Sequence, residues 1–239
     1  EQEEFARAPG VLVLSELAKR SLVAGGVEEG KILVCAPGVD AELFRRQPDT
    51  GAARPYRVVA VSSLTRNKGI DVLIEAWRQL ALPYAELWLI GAGELPVASA
   101  PGVRIVGGVA QTALPGLLSQ CDSFVLPSLA DGFGLVVLQA MACELPVIVS
   151  DRTGAAEAVA GEAFSGVVPA GEAEPLAAQI EYFYRLRHDR AELGRLARES
   201  VLARHTWPHH ARRLLDLLPQ YAPPVLPLRL GARRSVLAG

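Results

Sequence analysis

Apolar residues in this 239-residue chain fall into short unbroken runs, separated by stretches in which they recur every three or four positions. "VLVL" (11–14) and "KILVC" (31–35) predict strands, and "SELAKRSLVAGG" between them predicts a helix capped by Ser15 and closed by glycine. From Tyr56 the alternation becomes regular. "YRVVAVS", "ELWLIG", "VRIVG", "DSFVLPS" and "PVIVSD" predict strands. Helices are predicted over 69–80, 113–120, 134–143 and 153–160, and later over 172–186, 190–204 and 208–218. Strands apolar at nearly every position, with helices between them, indicate a parallel sheet covered on both faces, an α/β doubly wound fold. The stretch "APGVDAELFRRQPDTGAARP" is rich in proline, glycine and charge and reads as a linker. The tail "APPVLPLRLGARRSVLAG" has no clear periodicity, and no internal repeat is found.

Composition narrows the partners. A net charge of -2 gives no basic excess, so nucleic acid is not an expected partner. Cys35, Cys121 and Cys143 lie far apart in or beside apolar segments, without metal-ligand spacing, and read as buried reduced thiols in a reducing compartment. No apolar run approaches the ~18 residues of a spanning helix. No signal peptide opens the chain, so a cytoplasmic location is expected; Glu1 is not a start methionine, and the chain reads as a fragment.

In an open parallel sheet, ligands bind beyond the carboxyl ends of the strands, and three loops expected there carry unusual residues: "SSLTRNKG", "GAGELP" and "SLADGFG". In "DGFGLVVLQ", glycines stand where a strand turns into a helix. Glycine lets backbone approach a ligand, and the first helical N–H groups lack internal partners, so with the helix dipole they suit an anion, most naturally phosphate. The plain alternative is a tight structural turn. Gln139 lies roughly 6 Å further along that helix, where it would meet a ribose attached to the phosphate. Asp131 precedes the turn and faces whatever lies on the other side. Arg66 and Lys68 sit in the first loop, as phosphate clamps or as solvated charges. "GAG" (91–93) is only a fragment of a dinucleotide signature, with Pro96 in the place of the third glycine, so a nicotinamide cofactor is not expected. His205, His209 and His210 could suggest a metal site, but a solvated helix start is the favoured reading.

The span from about Val11 to Leu218 resembles the carboxyl-terminal half of a family 4 retaining glycosyltransferase of GT-B architecture. "DGFGLVVLQAMACELPVIVSD" resembles the family signature of a Glu, Gly-Phe-Gly and a second Glu eight residues after the first. "VSSLTRNKGIDVLIEAW" is similar to its lysine loop, "VRIVGGV" to its base-pocket strand, and "TGAAEAV" and "GVVPAGEAEPLA" to the segments that follow. "SELAKRSLVAGGVEEGKILVCAPGVDAELF" looks like the end of its first domain and the linker.

The resemblance implies a remnant of the N-terminal acceptor domain at 1–42, a linker at 43–55, a nucleotide-sugar-binding domain at 56–205, a crossover helix at 206–220 and a tail at 221–239. It implies a nucleoside diphosphate sugar as donor substrate, with neither cofactor nor metal, and retaining transfer of a hexosyl group to an acceptor. Lys68 would bind the diphosphate. The backbone of Gly132, Phe133, Gly134 and Leu135 would meet sugar and phosphates, and Val109 the base. Asp131 takes the place of the first Glu, beside the hexose, as the catalytic-site residue. Gln139 takes the place of the second, at the ribose. Ser63 stands where the family commonly has Arg, a role that Arg66 would take over. Glu144 replaces a customary glycine, with strain of ~1 kcal/mol if left-handed. One family helix between "GAG" and "VRIVGG" is trimmed. The first domain, with its acceptor pocket, is nearly all missing, so the chain alone is expected to be inactive. A separately encoded first half is an implied partner, and peripheral membrane contact would come only through the missing domain. The alternatives are a non-catalytic sugar-nucleotide-binding module and a GT-B epimerase acting on the sugar nucleotide. Donor base, sugar, acceptor and oligomeric state are not legible in the sequence.

Overall fold

The five strands predicted from Tyr56 onward form one parallel sheet, with a sixth at residues 165–168 that the sequence pattern did not predict, in a computed structural model, which describes residues 2–48, 53–95 and 97–218. The tail 221–239, the last two positions of the expected crossover segment, Pro96 and linker residues 49–52 lie outside the described residues.

Helix α1 (Gln2–Arg7), which the sequence pattern did not predict, precedes strand β1 (Val11–Val13), helix α2 (Glu16–Ala24) and strand β2 (Ile32–Val34). β1 and β2 form a separate parallel pair. The larger sheet holds β3 (Tyr56–Val61), β4 (Ala85–Ile90), β5 (Val103–Gly107), β6 (Ser123–Leu126), β7 (Val147–Ser150) and β8 (Ser165–Val168), in the order β5-β4-β3-β6-β7-β8. β6 and β7 are buried at every position, which is why "SFVL" and "VIVS" show no alternation. At the edge, β8 exposes Val167 between buried Gly166 and Val168.

The strand connections are α3 (Ile70–Gln79), α4 (Leu114–Leu118), α5 (Leu135–Ala142) and α6 (Ala156–Val159); α7 (Ala173–Arg185), α8 (Arg190–Arg204) and α9 (Trp207–Leu217) follow. α3 buries Ile70, Leu73, Ile74 and Trp77, a stripe at helical spacing, and packs against α7. α5 packs against α8. Right-handed crossovers running outward in both directions from the β3–β6 pair place these two helix layers on opposite faces of the sheet. Among the described residues between β4 and β5 there is no helix, in line with the trimmed connection.

The histidines lie where the chain crosses back. Val39 N–H donates to the His205 carbonyl at 2.8 Å, and Val39 bridges Thr206, so the linker folds over this turn. His205 is therefore buried, against the expectation of a solvated helix start, and burial, with Arg213 and Arg204 nearby, pushes its imidazole down to about 4. His210 Nδ1 lies 2.9 Å from the Ala36 carbonyl and 3.4 Å from Cys35 Sγ. The three cysteines are buried, and burial pushes the Cys121 and Cys143 thiols up to about 12.

Glu144 has φ +60°. It follows α5 in a left-handed terminator, in which Leu145 N–H donates to Ala140 O and Glu144 N–H to Met141 O. A side chain in that conformation costs ~1–2 kcal/mol, and glycine gives back ~0.4–1 kcal/mol through its freer unfolded chain. Glu144→Gly is expected to stabilise the protein by about 0.5–1 kcal/mol. Urea unfolding of both forms checks this; an unchanged or lowered midpoint contradicts it.

Candidate donor cleft

The order of strands reverses between β3 and β6, and the loops leaving their carboxyl ends meet there. After β3 the chain makes a short 3-10 turn, Arg66–Lys68, and stops at Gly69 with φ +67°. A Cβ at Gly69 would lie 2.0 Å from the Pro127 carbonyl oxygen, so only glycine lets the two loops touch. Leu129 N–H then donates to Asn67 O at 2.9 Å. The "GAG" loop joins them through Leu64 N–H on Ala92 O.

After β6, the 127–134 loop is held from behind by the turn that follows β7. Asp131 N–H donates to Arg152 O, Gly154 N–H to Asp131 O, and Ala155 N–H to Phe133 O. Gly134, left-handed at φ +81°, starts α5; a Cβ there would be 2.6 Å from Leu126 Cδ2. The glycines of "DGFG" thus permit a sharp turn, and the same turn aims the free N–H groups at the head of α5 toward the crevice. Lys68 Nζ donates to Asp131 Oδ2 at 2.7 Å, and Phe133 N–H donates to Asp131 Oδ1 at 3.3 Å. Both side chains of this ion pair are about four-fifths buried, at 25% and 17% exposure.

The opposite wall comes from β1 and α2. Ser15 Oγ accepts from Ala18 N–H as the helix cap and donates to Gly132 O at 2.6 Å. Glu157, on α6, accepts from Glu16 N–H at 2.9 Å and Leu17 N–H at 2.7 Å, and pairs with Arg20. The positive end of α2 is therefore held by a carboxylate from the six-stranded half. Between the walls lies a cavity of about 500 Å³, with Val13, Leu14 and Ala18 on one side and Ser62, Lys68 and the 131–136 segment on the other.

Six of the residues singled out from the sequence line this cavity: Lys68, Asp131, Gly132, Phe133, Gly134 and Leu135. Four do not. Ser63 is exposed in the first loop. Arg66 pairs with Asp71 at 2.9 Å. Val109 is 37% exposed beyond the end of β5. Gln139 is buried one turn beyond Leu135, on the same face of α5. Sequence reasoning took Ser15 only as a cap and did not single out Ser62 or Glu157. The Glu157 contact spans 140 residues, and nothing local in "TGAAEAV" signals it.

Glu157→Gln keeps one good acceptor and loses the charge at the dipole end. An exposed contact of this kind contributes ~0.3–1 kcal/mol. Amide exchange at Glu16, Leu17 and Ala18 is expected to speed up about two- to fivefold while the β6 and β7 amides stay unchanged. Equal exchange in both proteins would remove Glu157 from the contact.

Comparison with known proteins bears on this geometry. A model of the family "Glycosyl transferases group 1" matches residues 55–185. The amylovoran biosynthesis glycosyltransferase AmsK of Erwinia amylovora is 30% identical over 235 residues, which cover 91% of this chain and 58% of AmsK. A GDP-mannose-dependent alpha-(1-6)-phosphatidylinositol monomannoside mannosyltransferase of Mycobacterium tuberculosis is 31% identical over 209 residues, 76% of this chain and 54% of that protein. The chain thus spans little more than half the length of these relatives. Among solved structures, sucrose-phosphate synthase from Thermosynechococcus elongatus superposes with a TM-score of 0.78 at 28% identity, over 91% of this chain and 60% of that one. Anabaena HepE, in complex with UDP and glucose, gives 0.76 at 22% identity over 89% and 63%, a likeness of fold.

Proposed function

The chain belongs to the group 1 glycosyl transferases, and on that premise we propose that it binds a nucleoside diphosphate sugar for retaining transfer of a hexosyl group, as a family 4 enzyme does. One observation carries the reading: Lys68, the head of α5 and Asp131 converge on a single cavity where the strand order reverses. A diphosphate there bridges the Lys68 ammonium and the N–H groups of Leu135 and Val136, with the 132–134 backbone alongside. The hexose lies toward Asp131, the ribose along α5 toward Gln139, and the base toward Val109. Ser63 and Arg66 flank the donor at the mouth of the first loop. HepE is in complex with UDP and glucose, and the mycobacterial relative is GDP-mannose-dependent, which supports the donor class.

In retaining transfer the bond from the anomeric carbon to the diphosphate breaks, and the bond to the acceptor oxygen forms, on the same face of the sugar. The acceptor's proton leaves with the diphosphate. Lys68 and the α5 dipole stabilise the charge developing on that leaving group. No metal enters this reading. Residues 1–42 belong to the acceptor domain, 43–55 to the linker, 56–205 to the donor domain and 206–220 to the crossover. Orientation of two substrates in one cleft supplies ~7–11 kcal/mol of such barriers. These 239 residues therefore bind the donor, and transfer needs the rest of the relatives' length.

Lys68→Ala is expected to weaken UDP or GDP binding by ~1.5–3 kcal/mol, the worth of a charge-assisted contact. Calorimetry reads this, with thermal unfolding as a control for the fold; unchanged affinity for both nucleotides contradicts the phosphate assignment.

A carboxylate accepts from two neighbouring ribose hydroxyls, whereas an amide offers one acceptor oxygen. Gln139→Glu is expected to tighten the binding of ribonucleotides by about 1 kcal/mol. Its charge opposes the diphosphate, with the helix dipole partly offsetting that. The gain is absent for 2′,3′-dideoxy nucleotides. An equal response to ribose and dideoxyribose ligands takes Gln139 out of the site.

A further inference from the structure

The linker leaves the small sheet after β2, and α9 returns to the same place, where His210 and Arg213 reach the Ala36 carbonyl. The two passages are packed on each other. Gly38 lies so close to the turn between α8 and α9 that a Cβ would stand 2.5 Å from Trp207 N and 2.6 Å from Thr206 C. Val39 adds its hydrogen bond to His205 O and its parallel bridge with Thr206. Arg213 donates to Ala36 O at 3.3 Å and also to Arg204 O, which closes the joint from the side of α9. His205 sits inside this joint. It is 7% exposed, and its Nδ1 is enclosed without a hydrogen-bond partner. The charges that face it are Arg204 on α8 and Arg213 and His209 on α9, so each is a cation or becomes one in acid. On the linker side the ionisable groups are the Cys35 thiol, which burial pushes up, and Asp40, whose Oδ1 already accepts from Glu42 and Leu43 N–H at 3.0 and 2.9 Å. Glu162 pairs with Arg204 at 2.8 Å. Among the described residues no carboxylate pairs with the imidazole.

A neutral ring fits such an enclosure and leaves one hydrogen bond unmade. A charged ring needs water or a carboxylate and meets cations instead. We propose that this joint is an acid-released latch: a proton taken from solvent onto His205 drives the ring out of its enclosure, and the linker at 36–39 leaves the turn at 204–207 while the six-stranded sheet stays folded. The wall formed by β1 and α2 then hangs on its clasp at Ser15 and Glu157. The latch does not depend on what the cleft binds. Its direction follows from burial, which with Arg213, Arg204 and His209 lowers the imidazole from 6.5 to about 4 in the closed joint. A ring released to water regains the higher value. Closure is therefore fully present above about pH 6.5 and is lost progressively as pH falls toward 4. Between pH 7.5 and pH 5 the opening constant of the joint rises about thirtyfold.

The test uses the full chain and reads amide exchange at Val39, whose N–H is held by His205 O, against Phe124 of β6, whose N–H is held by Pro146 O. Rates are corrected for the intrinsic pH dependence of exchange. The Val39 opening constant is expected to exceed that of Phe124 at every pH, because the joint opens locally, and to rise about thirtyfold from pH 7.5 to pH 5. In His205→Gln, which cannot take up the proton, the rise is below about threefold. His209→Gln keeps a rise of about tenfold or more. The parent protein supplies a second readout that needs no variant: in the closed joint the His205 ring signals stay those of a neutral imidazole at about pH 5.5. Four results overturn the latch. They are a Val39 opening constant that does not change with pH, the parent's rise retained in His205→Gln, one shared opening constant for Val39 and Phe124, and a His205 ring that titrates at its ordinary value while Val39 stays protected.

Discussion

Parallel pairing of β3 with β6 is the constraint on which the rest depends. Parallel neighbours cannot be joined by a hairpin, so each strand must send its chain over a face of the sheet before returning. Here the connections run outward from one central pair, β3–β4–β5 one way and β6–β7–β8 the other. The chain therefore leaves β3 and β6 toward opposite faces, and a crevice opens between the departing loops. The contact of Gly69 with Pro127 O narrows it, and the left-handed Gly134 turns the head of α5 into it. A basic residue on one loop and an acidic one on the other then meet across a gap that topology has already made.

The architecture was legible in the sequence because burial on both faces erases alternation. "FVL" and "VIV" are apolar at every position, and the helix stripe of Ile70, Leu73, Ile74 and Trp77 is regular. Most element ends moved by a residue or two, as capping allows, the start of α6 by three, and β8, with only four residues at the sheet edge, was missed. Within the site, the residues carried by local backbone grammar were readable: glycines before a helix, and a lysine before another. Residues defined by long-range contact were not. Ser15 reads as a cap, and only the fold shows its hydroxyl on Gly132 O, 117 residues away. His205 lies among polar neighbours in sequence, but the returning linker buries it.

The two halves of the cleft are joined at its rim by few bonds. Ser15 and the head of α2 meet Gly132 and Glu157, and among the described residues no strand pairing runs between the small sheet and the large one. Such contacts are individually weak and partly wet, so the geometry of the wall formed by β1 and α2 responds to small changes at the α6 end. The wall formed by the loops after β3 and β6 is different in kind. It grows from strands buried at every position, and its loops are tied by backbone hydrogen bonds to the turn after β7. One wall is rigid and the other is held by a clasp.

The Lys68–Asp131 pair has a consequence for how any anion enters. Lysine's charge is already answered at 2.7 Å, so an incoming phosphate does not meet a bare cation. Binding becomes an exchange, in which one anion leaves the ammonium as another arrives and the released carboxylate turns to new hydroxyl donors. The pair itself carries no net charge, so it adds little long-range attraction to the rate of encounter. Added salt weakens the pair and the incoming contact together. Affinity should therefore vary less with ionic strength than a solitary lysine would dictate, and on the proposed reading the cleft favours ligands that bring a sugar to Asp131 as well as a phosphate to Lys68.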